Sequence, residues 1–451
     1  MLTFKRLLTT AGILRTNLSI VGAMNAGKST LMNLLTQQET SIVDMTPGTT
    51  ADTKVSLMEM HSLGPVKLMD TPGLDEKGEL GSKKRGKVMN AIKESDCILV
   101  VVNPESQASI EVARQVLSSS YGKSEQQNAQ KLVLFNVQKE KLNQDLDLAK
   151  IDALVADSAD AKTEVPSLIV DFRSPDAFSR VISFVTHHMK PREAAVSLLP
   201  PGIQFDSRSR VLLNIPMDAE TPSGRLLRPQ TMLQEALLRQ YVGTFAYRMD
   251  LVKGRSSATD ASADERMRFR DTLHALNSDG QLRLIVTDSQ AIKEVFSWCS
   301  DIPVPITTFS IMMAHYMSGG RLPLFIEGIR AFDQLQPNSR VLICEACNHD
   351  RIQDDIGTVQ IPNALRRRFG EAGISIDHSF GRQYQTMDLH KYSLVLHCGG
   401  CLLTQQQMAA RLSDLEAAHI PITNYGLLLS YLASKDALRR VLEPWNLGSP
   451  L

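Results

Sequence analysis

The loop Gly22-Ala23-Met24-Asn25-Ala26-Gly27-Lys28-Ser29 fits G-x-x-x-x-G-K-[ST] and directly follows the apolar run Leu18–Val21. That junction constrains the fold more than any other part of the chain. A strand must end at the loop, and the loop must open a helix so that its unpaired N–H groups can face phosphate oxygens. Further apolar runs, Val66–Met69, Ile98–Val102 and Leu132–Phe135, have the continuous hydrophobicity of parallel strands buried on both faces. With helical stretches between them, they predict a doubly wound α/β sheet over residues 18–190. Gly22, Asn25, Ala26, Gly27, Lys28, Ser29 and Thr30 are then the residues expected around the phosphates. Lys28 would pair with the β/γ oxygens and Ser29 would reach Mg2+. Asp70-Thr71-Pro72-Gly73 ends the next apolar run, where a Mg2+-linked Asp and a γ-phosphate-sensing Gly belong, and Thr49-Thr50 lies between in the place of a first switch loop. Lys28, Thr50, Asp70 and Gly73 form the expected catalytic set, with Ser29 and Thr50 as Mg2+ ligands and Thr71 in the nucleotide site.

Together these residues resemble the translation-factor-related GTPases. Asn25 in the loop and the Gly48-to-Asp52 stretch, G-T-T-x-D, are similar to the potassium-activated, TrmE/Era-like members. The resemblance implies GTP and Mg2+, with K+ held through Asn25 in place of an arginine finger. Leu74 stands where many GTPases carry a water-orienting Gln, so intrinsic turnover is expected to be slow, on the order of 10⁻⁴ to 10⁻² per second. One departure concerns the base. Where N-K-x-D should follow Leu132–Phe135, the chain reads Asn136-Val137-Gln138-Lys139. Asn136 is kept as a nucleotide contact, but the guanine-gripping Asp is replaced by a cation, a loss of about a hundredfold in base preference. Asp145 or Asp147 is a candidate substitute, and Val170-Asp171-Phe172 stands where the later S-A-x element belongs.

A chain of 451 residues is too long for one core. Lys+Arg and Asp+Glu both total 49, and this neutrality argues against nucleic acid as a partner. No apolar stretch is long enough to span a bilayer. Met1–Thr16 is basic and hydroxyl-rich, and the first acidic residue is Glu39. Residues 1–17 therefore fit an organellar presequence, similar to those of hydrogenosomes and other mitochondrion-derived organelles. The alternative is a cytoplasmic protein with a ragged N-terminus. Pro191 and Pro200-Pro201-Gly202 mark a linker. Residues 191–280, with a hairpin-like Arg210–Pro216, a helix near Gln230–Gln240, a strand near Tyr241–Met249 and a Ser/Ala/Asp-rich loop over Gly254–Asp264, read as a small α+β dimerisation domain. Residues 281–451 again alternate, with strands at Leu282–Val286, Arg340–Ile343, Ile374–Asp377 and Leu394–His397.

Four of the 6 cysteines sit in that last part, as Cys344 and Cys347-Asn348-His349, then His397-Cys398-Gly399-Gly400-Cys401. Cys97 and Cys299 lie in apolar stretches and read as packing residues. Both paired sites follow strand ends, so they could meet across neighbouring strands. Three chemistries compete. Cys344, Cys347, Cys398 and Cys401 make two C-x-x-C pairs suited to zinc. Either pair could act as a redox dithiol. Cys347, Cys398 and Cys401 could hold a 4Fe–4S cluster with an exchangeable fourth ligand. The radical-SAM spacing is missing.

The pairing of C-x-H with H-C-G-G-C resembles the HydF family of FeFe-hydrogenase maturation GTPases. The runs Asp70–Gly81, Thr287–Gln290, Asp354–Gly357 with Ile361-Pro362, and Ile422–Gly426 are similar to that family as well. The resemblance implies three domains: a GTPase, a dimerisation domain and a C-terminal α/β cluster-binding domain. It implies a homodimeric scaffold holding a 4Fe–4S cluster on Cys347, Cys398 and Cys401, with His349 and His397 as candidates for the fourth ligand or for places beside the cluster. Such a scaffold receives a transient diiron precursor from two radical-SAM maturases and passes it to apo FeFe-hydrogenase. Cys344 departs from the family motif and fits either a buried apolar filler or a zinc ligand. The rival from another class is a potassium-type GTPase with a structural zinc domain, acting in ribosome or tRNA maturation.

Overall fold

The computed structural model describes residues 16–37, 54–60, 63–75, 78–118, 129–138, 165–189, 196–216, 226–256, 259–346, 355–370 and 373–447. Residues 13–192 form one compact unit and 193–451 belong to another.

In the first unit, the expected apolar runs are strands: β1 (Thr16–Val21), β3 (Gly64–Asp70), β4 (Cys97–Val102) and β5 (Gln130–Asn136). Two more complete the sheet, β2 (Lys54–Met60) and β6 (Ser167–Val170), in the order β2-β3-β1-β4-β5-β6. All pairings are parallel except β2 with β3. β4 is buried along its whole length because it serves two cores. Leu99 and Val101 face one with Leu18 and Ile20, while Ile98, Val100 and Val102 face the other with Val21 and Val133. Each such side chain contributes roughly 1.5–3 kcal/mol by leaving water. β2 is an edge strand, and Val55 and Leu57 on it are exposed.

The second unit carries two four-stranded sheets. One has the order β10-β9-β7-β8, with β7 (Arg210–Asn214), β8 (Gly243–Tyr247), β9 (Leu282–Thr287) and β10 (Ile306–Thr308). The other has the order β12-β11-β13-β14, with β11 (Ser339–Glu345), β12 (Ile374–Phe380), β13 (Leu394–His397) and β14 (Ile422–Asn424). Every pairing in both is parallel. The α/β class therefore holds throughout, and the second segment is α/β as well, not α+β. Arg210–Pro216 is no hairpin: its Val211-Leu212-Leu213 is buried between β8 and β9. β9, expected to open the third domain, pairs with β7, so a boundary at 280/281 cuts this sheet. One continuous core, from Leu198 to Trp445, underlies both sheets. Within Gly254–Asp264, expected to be a loop, the helix Thr259–Leu276 begins, and it is anchored by Phe269 and Leu273 in the core. Residues 1–17, expected to be an organellar presequence, fall almost wholly outside the described residues. Among the described residues no helix is long and apolar enough to cross a membrane.

Candidate functional site

The nucleotide site grows from the ends of three parallel strands. β1 ends at Val21 and the loop turns through Asn25 and Gly27, both at positive φ (57° and 106°), into the helix Lys28–Thr36. Gly27 is required there. A Cβ would lie 2.4 Å from Asn136 Nδ2, and its φ disfavours any L side chain. Register places Ile20 beside Asp70, at the end of β3. Thr71 locks that pairing by donating its hydroxyl to Ile20 O (2.8 Å). Its buried side chain thus holds the end of β3, and with it Asp70, against β1.

Ser29 Oγ donates to Asp70 Oδ2 at 2.9 Å, so the hydroxyl and carboxylate expected on Mg2+ are already together. This pair of hard oxygen donors fits Mg2+. Lys28 donates to Ala23 O (2.5 Å) across its own loop and is buried. Burial lowers its pKa to about 8, against the opposing pull of Asp70 and Asp75. Asn136, at the end of β5, donates to Ala26 O (3.2 Å) and accepts from Phe172 N (3.5 Å). It therefore braces the loop against the end of β6. Leu74 is buried in the core and offers no group to orient water. Thr30 follows Ser29 in the first helical turn. Thr50, the rest of the first switch, Lys139, Asp145 and Asp147 lie outside the described residues.

The cysteine site is built on the neighbouring ends of β11 and β13, where Cys344 pairs in register with His397. Cys398 N donates to Cys344 O (3.0 Å), and Cys398 Sγ accepts from Ala346 N (3.2 Å) and Gly400 N (3.5 Å). Amides aimed at a sulfur favour its thiolate, the form that binds metal. Without metal, burial and the neighbouring Cys401 push Cys398 up to about 11, and burial raises Cys401 too. Cys344 is fully buried in the core of β11 and pushed up to about 12 by desolvation, as suits a filler. Cys97 and Cys299 are fully buried as well. Cys347 and His349 lie outside the described residues. Among the described residues no three His, Cys, Asp or Glu side chains converge on one point. The two thiols of one tight turn, with amides directed at the first, have the donor chemistry of a thiolate-held metal centre.

Of the two places expected for His397, as a fourth ligand or beside the cysteines, the contacts of its ring match the second. Its Nδ1 donates to Cys398 O (2.7 Å), and its Nε2 accepts from Arg411 Nη1 (2.9 Å). Both ring nitrogens are engaged, the tautomer is fixed by its partners, and none is left for a metal. Desolvation first, then Arg411, lowers its pKa to about 3, so it stays neutral. Arg411 is buried too, donates to Gly381 O (2.9 Å) and lies over the Tyr384 ring at 4.6 Å. Arg228 holds the far side of the turn through Cys401 O (2.6 Å) and Leu403 O (3.0 Å). Glu345, buried at the end of β11 with Tyr425 Oη 3.5 Å away, adds a carboxylate close enough to act on the Cys398 thiol. Sequence reasoning missed Arg228, Glu345 and Arg411. Only Glu345 left a signal, a carboxylate at a strand end just ahead of Cys347.

The family described as Hydrogen maturase F tetramerization domain matches residues 323–444, the span that carries both cysteine segments. The family described as 50S ribosome-binding GTPase matches residues 17–137. The architecture is HydF-like. Residues 17–137 form a P-loop domain of GTPase type, a fold that implies GTP and Mg2+ binding. The tRNA modification GTPase MnmE of Natranaerobius thermophilus is 33% identical over 141 residues, 30% of this chain and 28% of that protein. GTPase Der of Bartonella henselae is 40% identical over 91 residues, 20% of this chain and 19% of that one. The chain thus spans under a third of the length of these relatives. Era of Aquifex aeolicus superposes with a TM-score of 0.32 and 18% identity over 52% of this chain and 93% of its own.

Two outcomes are expected. Phosphates will return Lys28 to its charged form, so above pH 8 nucleotide binding takes up a proton and affinity falls as pH rises. Calorimetry at pH 8.5 in buffers of different ionisation enthalpy should detect that uptake in the native protein; identical enthalpies would contradict it. Arg411→Met leaves His397 Nε2 and Gly381 O without their donor and should cost about 1–3 kcal/mol in urea unfolding. An unchanged midpoint would mean that the Arg411–His397 contact adds nothing to stability.

Proposed function

We propose that this GTPase is the scaffold on which the diiron subcluster of the FeFe-hydrogenase H-cluster is assembled and from which it is delivered to the apo-hydrogenase. The observation that supports this reading is that the strand end just ahead of Cys347 lies beside the His397–Cys401 turn, through Ala346 N–H on Cys398 Sγ and the Cys344–His397 register. Cys398 and Cys401, with Cys347, would hold a 4Fe–4S cluster. Such a cluster supplies an iron with an exchangeable position, to which a bridging ligand of the incoming diiron cargo could bind. The protein's own part is to hold the thiolates: Arg228 and His397 fix the turn, and the Ala346 and Gly400 amides favour the Cys398 thiolate. Two radical-SAM maturases are the partners this reading calls for, and the matrix of a mitochondrion-derived organelle is its compartment. Nucleotide turnover would be slow, with K+ at Asn25 and reduced guanine preference from the Gln138-Lys139 departure.

Self-association belongs to the same reading. The family matched by residues 323–444 is described by tetramerisation. In the other sheet, β8 is an edge strand with Phe245 exposed, and Leu238 and Tyr241 beside it are exposed as well (57% and 83%). An unpaired apolar edge is a template for a second strand, here from a second copy.

Iron, sulfide and zinc analysis with EPR, on protein purified and reconstituted without oxygen, tests the metal reading. About four irons per chain and a reduced-cluster signal lost in Cys398→Ala are expected. One tight zinc and no iron uptake would favour the structural-zinc alternative and remove the scaffold reading. Phe245→Asp should shift the protein toward monomer in sedimentation velocity while leaving its melting temperature within a few degrees. An unchanged oligomer would exclude β8 as the contact.

A further inference from the structure

The segment after Asp70 folds back onto the phosphate loop. Asp75 Oδ1 accepts from Met24 N at 2.7 Å. Gly73 lies so close beneath the loop that a Cβ would stand 2.4 Å from Met24 Cγ and 2.8 Å from Met24 N. Asp75 also acts on the buried Lys28, the cation that reaches toward the β and γ oxygens of a bound nucleotide. One carboxylate thus occupies a loop amide and lies within electrostatic reach of the loop lysine. The lysine belongs to the machinery that receives a terminal phosphate, and the amide lies in the same loop. That contact is not needed to fold the sheet, because Thr71 already ties β3 to β1 through Ile20 O.

We propose that Asp75 is the residue by which this site tells a nucleoside triphosphate from a diphosphate. With no terminal phosphate, the carboxylate holds the Met24 amide and the Gly73–Asp75 segment rests on the loop. A γ-phosphate is the stronger anion competing for the same lysine, and two anions crowd each other around it in a site with buried walls. Its arrival displaces Asp75, and with it the segment that leads into the helix Gly78–Lys93. A diphosphate, one phosphate shorter, leaves the carboxylate where it is. The site therefore binds triphosphate less tightly than its cradle allows, and the difference moves the switch segment. Leu74 is carried along: its side chain is seated in the core beside Val21 and Val100, so displacement of Asp75 pulls on a buried anchor. Nothing in this depends on the identity of the metal at the cysteines.

Equilibrium binding of fluorescent GDP and of a non-hydrolysable GTP analogue, with Mg2+ and the full-length protein, tests it. Comparing two nucleotides with the same base cancels any base preference. In Asp75→Ala the triphosphate should bind about tenfold more tightly relative to the diphosphate, with GDP affinity changed by less than about threefold. Asp75→Asn is nearly isosteric, keeps an oxygen for the Met24 amide, loses the charge, and should fall between the two. If both nucleotides shift together, or the triphosphate binds more weakly in the variants, Asp75 supports the nucleotide and the proposal is wrong. An unchanged ratio in both variants overturns it equally.

Discussion

Parallel strand pairing brings the carboxyl ends of neighbouring strands side by side, and the chemistry of this protein depends on that. Ile20 opposite Asp70 sets the phosphate loop beside its metal-binding carboxylate. Cys344 opposite His397 sets two cysteine segments, far apart in sequence, on one edge. A one-residue slip in either register would turn the slipped strand's side chains to the other face and take that strand's site apart. The registers are held by burial on two faces, which is why the strands read as unbroken apolar runs.

That burial also decides what could be read from the chain alone. Strands β1, β3, β4, β5, β11 and β13 are legible because each centres on a cluster of large apolar residues, and β12 because Ile374 and Ile376 alternate with polar residues. β6 is not: two of its four residues are only half-buried and Ser167 is exposed. The helix Thr259–Leu276 was misread for the opposite reason. Its Ser, Ala, Asp and Arg face water, and only a thin stripe including Phe269 and Leu273 enters the core. Tertiary packing overrode composition there. The sheet membership of β9 was hidden too, because a strand's sequence does not name its neighbour.

The phosphate loop was legible as a motif because nearly all of it comes from one continuous segment. The surroundings of the cysteines were not. Arg411 reaches His397 from the helix Gln405–Ala417, and Arg228 reaches the turn from the helix Arg228–Leu238. These contacts are made by folding, at distances in sequence where pattern reasoning has no purchase. They also change the chemistry assigned to His397. A histidine beside two cysteines suggests a ligand, yet with both nitrogens engaged this one acts as a strut for the Cys398 carbonyl. The buried cations of the two sites, Lys28 and Arg411, are accommodated differently. Lys28 has Asp70 and Asp75 close by, whereas the partners of Arg411 among the described residues are a neutral ring, a carbonyl and an aromatic face.

The helix Arg228–Leu238 joins two parts that have been described separately. Its first residue grips the carbonyls of Cys401 and Leu403, and its last, Leu238, lies exposed next to the bare edge of β8. A helix of this length is a stiff rod roughly 16 Å long. Force applied at one end is delivered at the other with little loss. The cysteine turn and the edge strand β8 are thereby held at a fixed spacing by one rigid element.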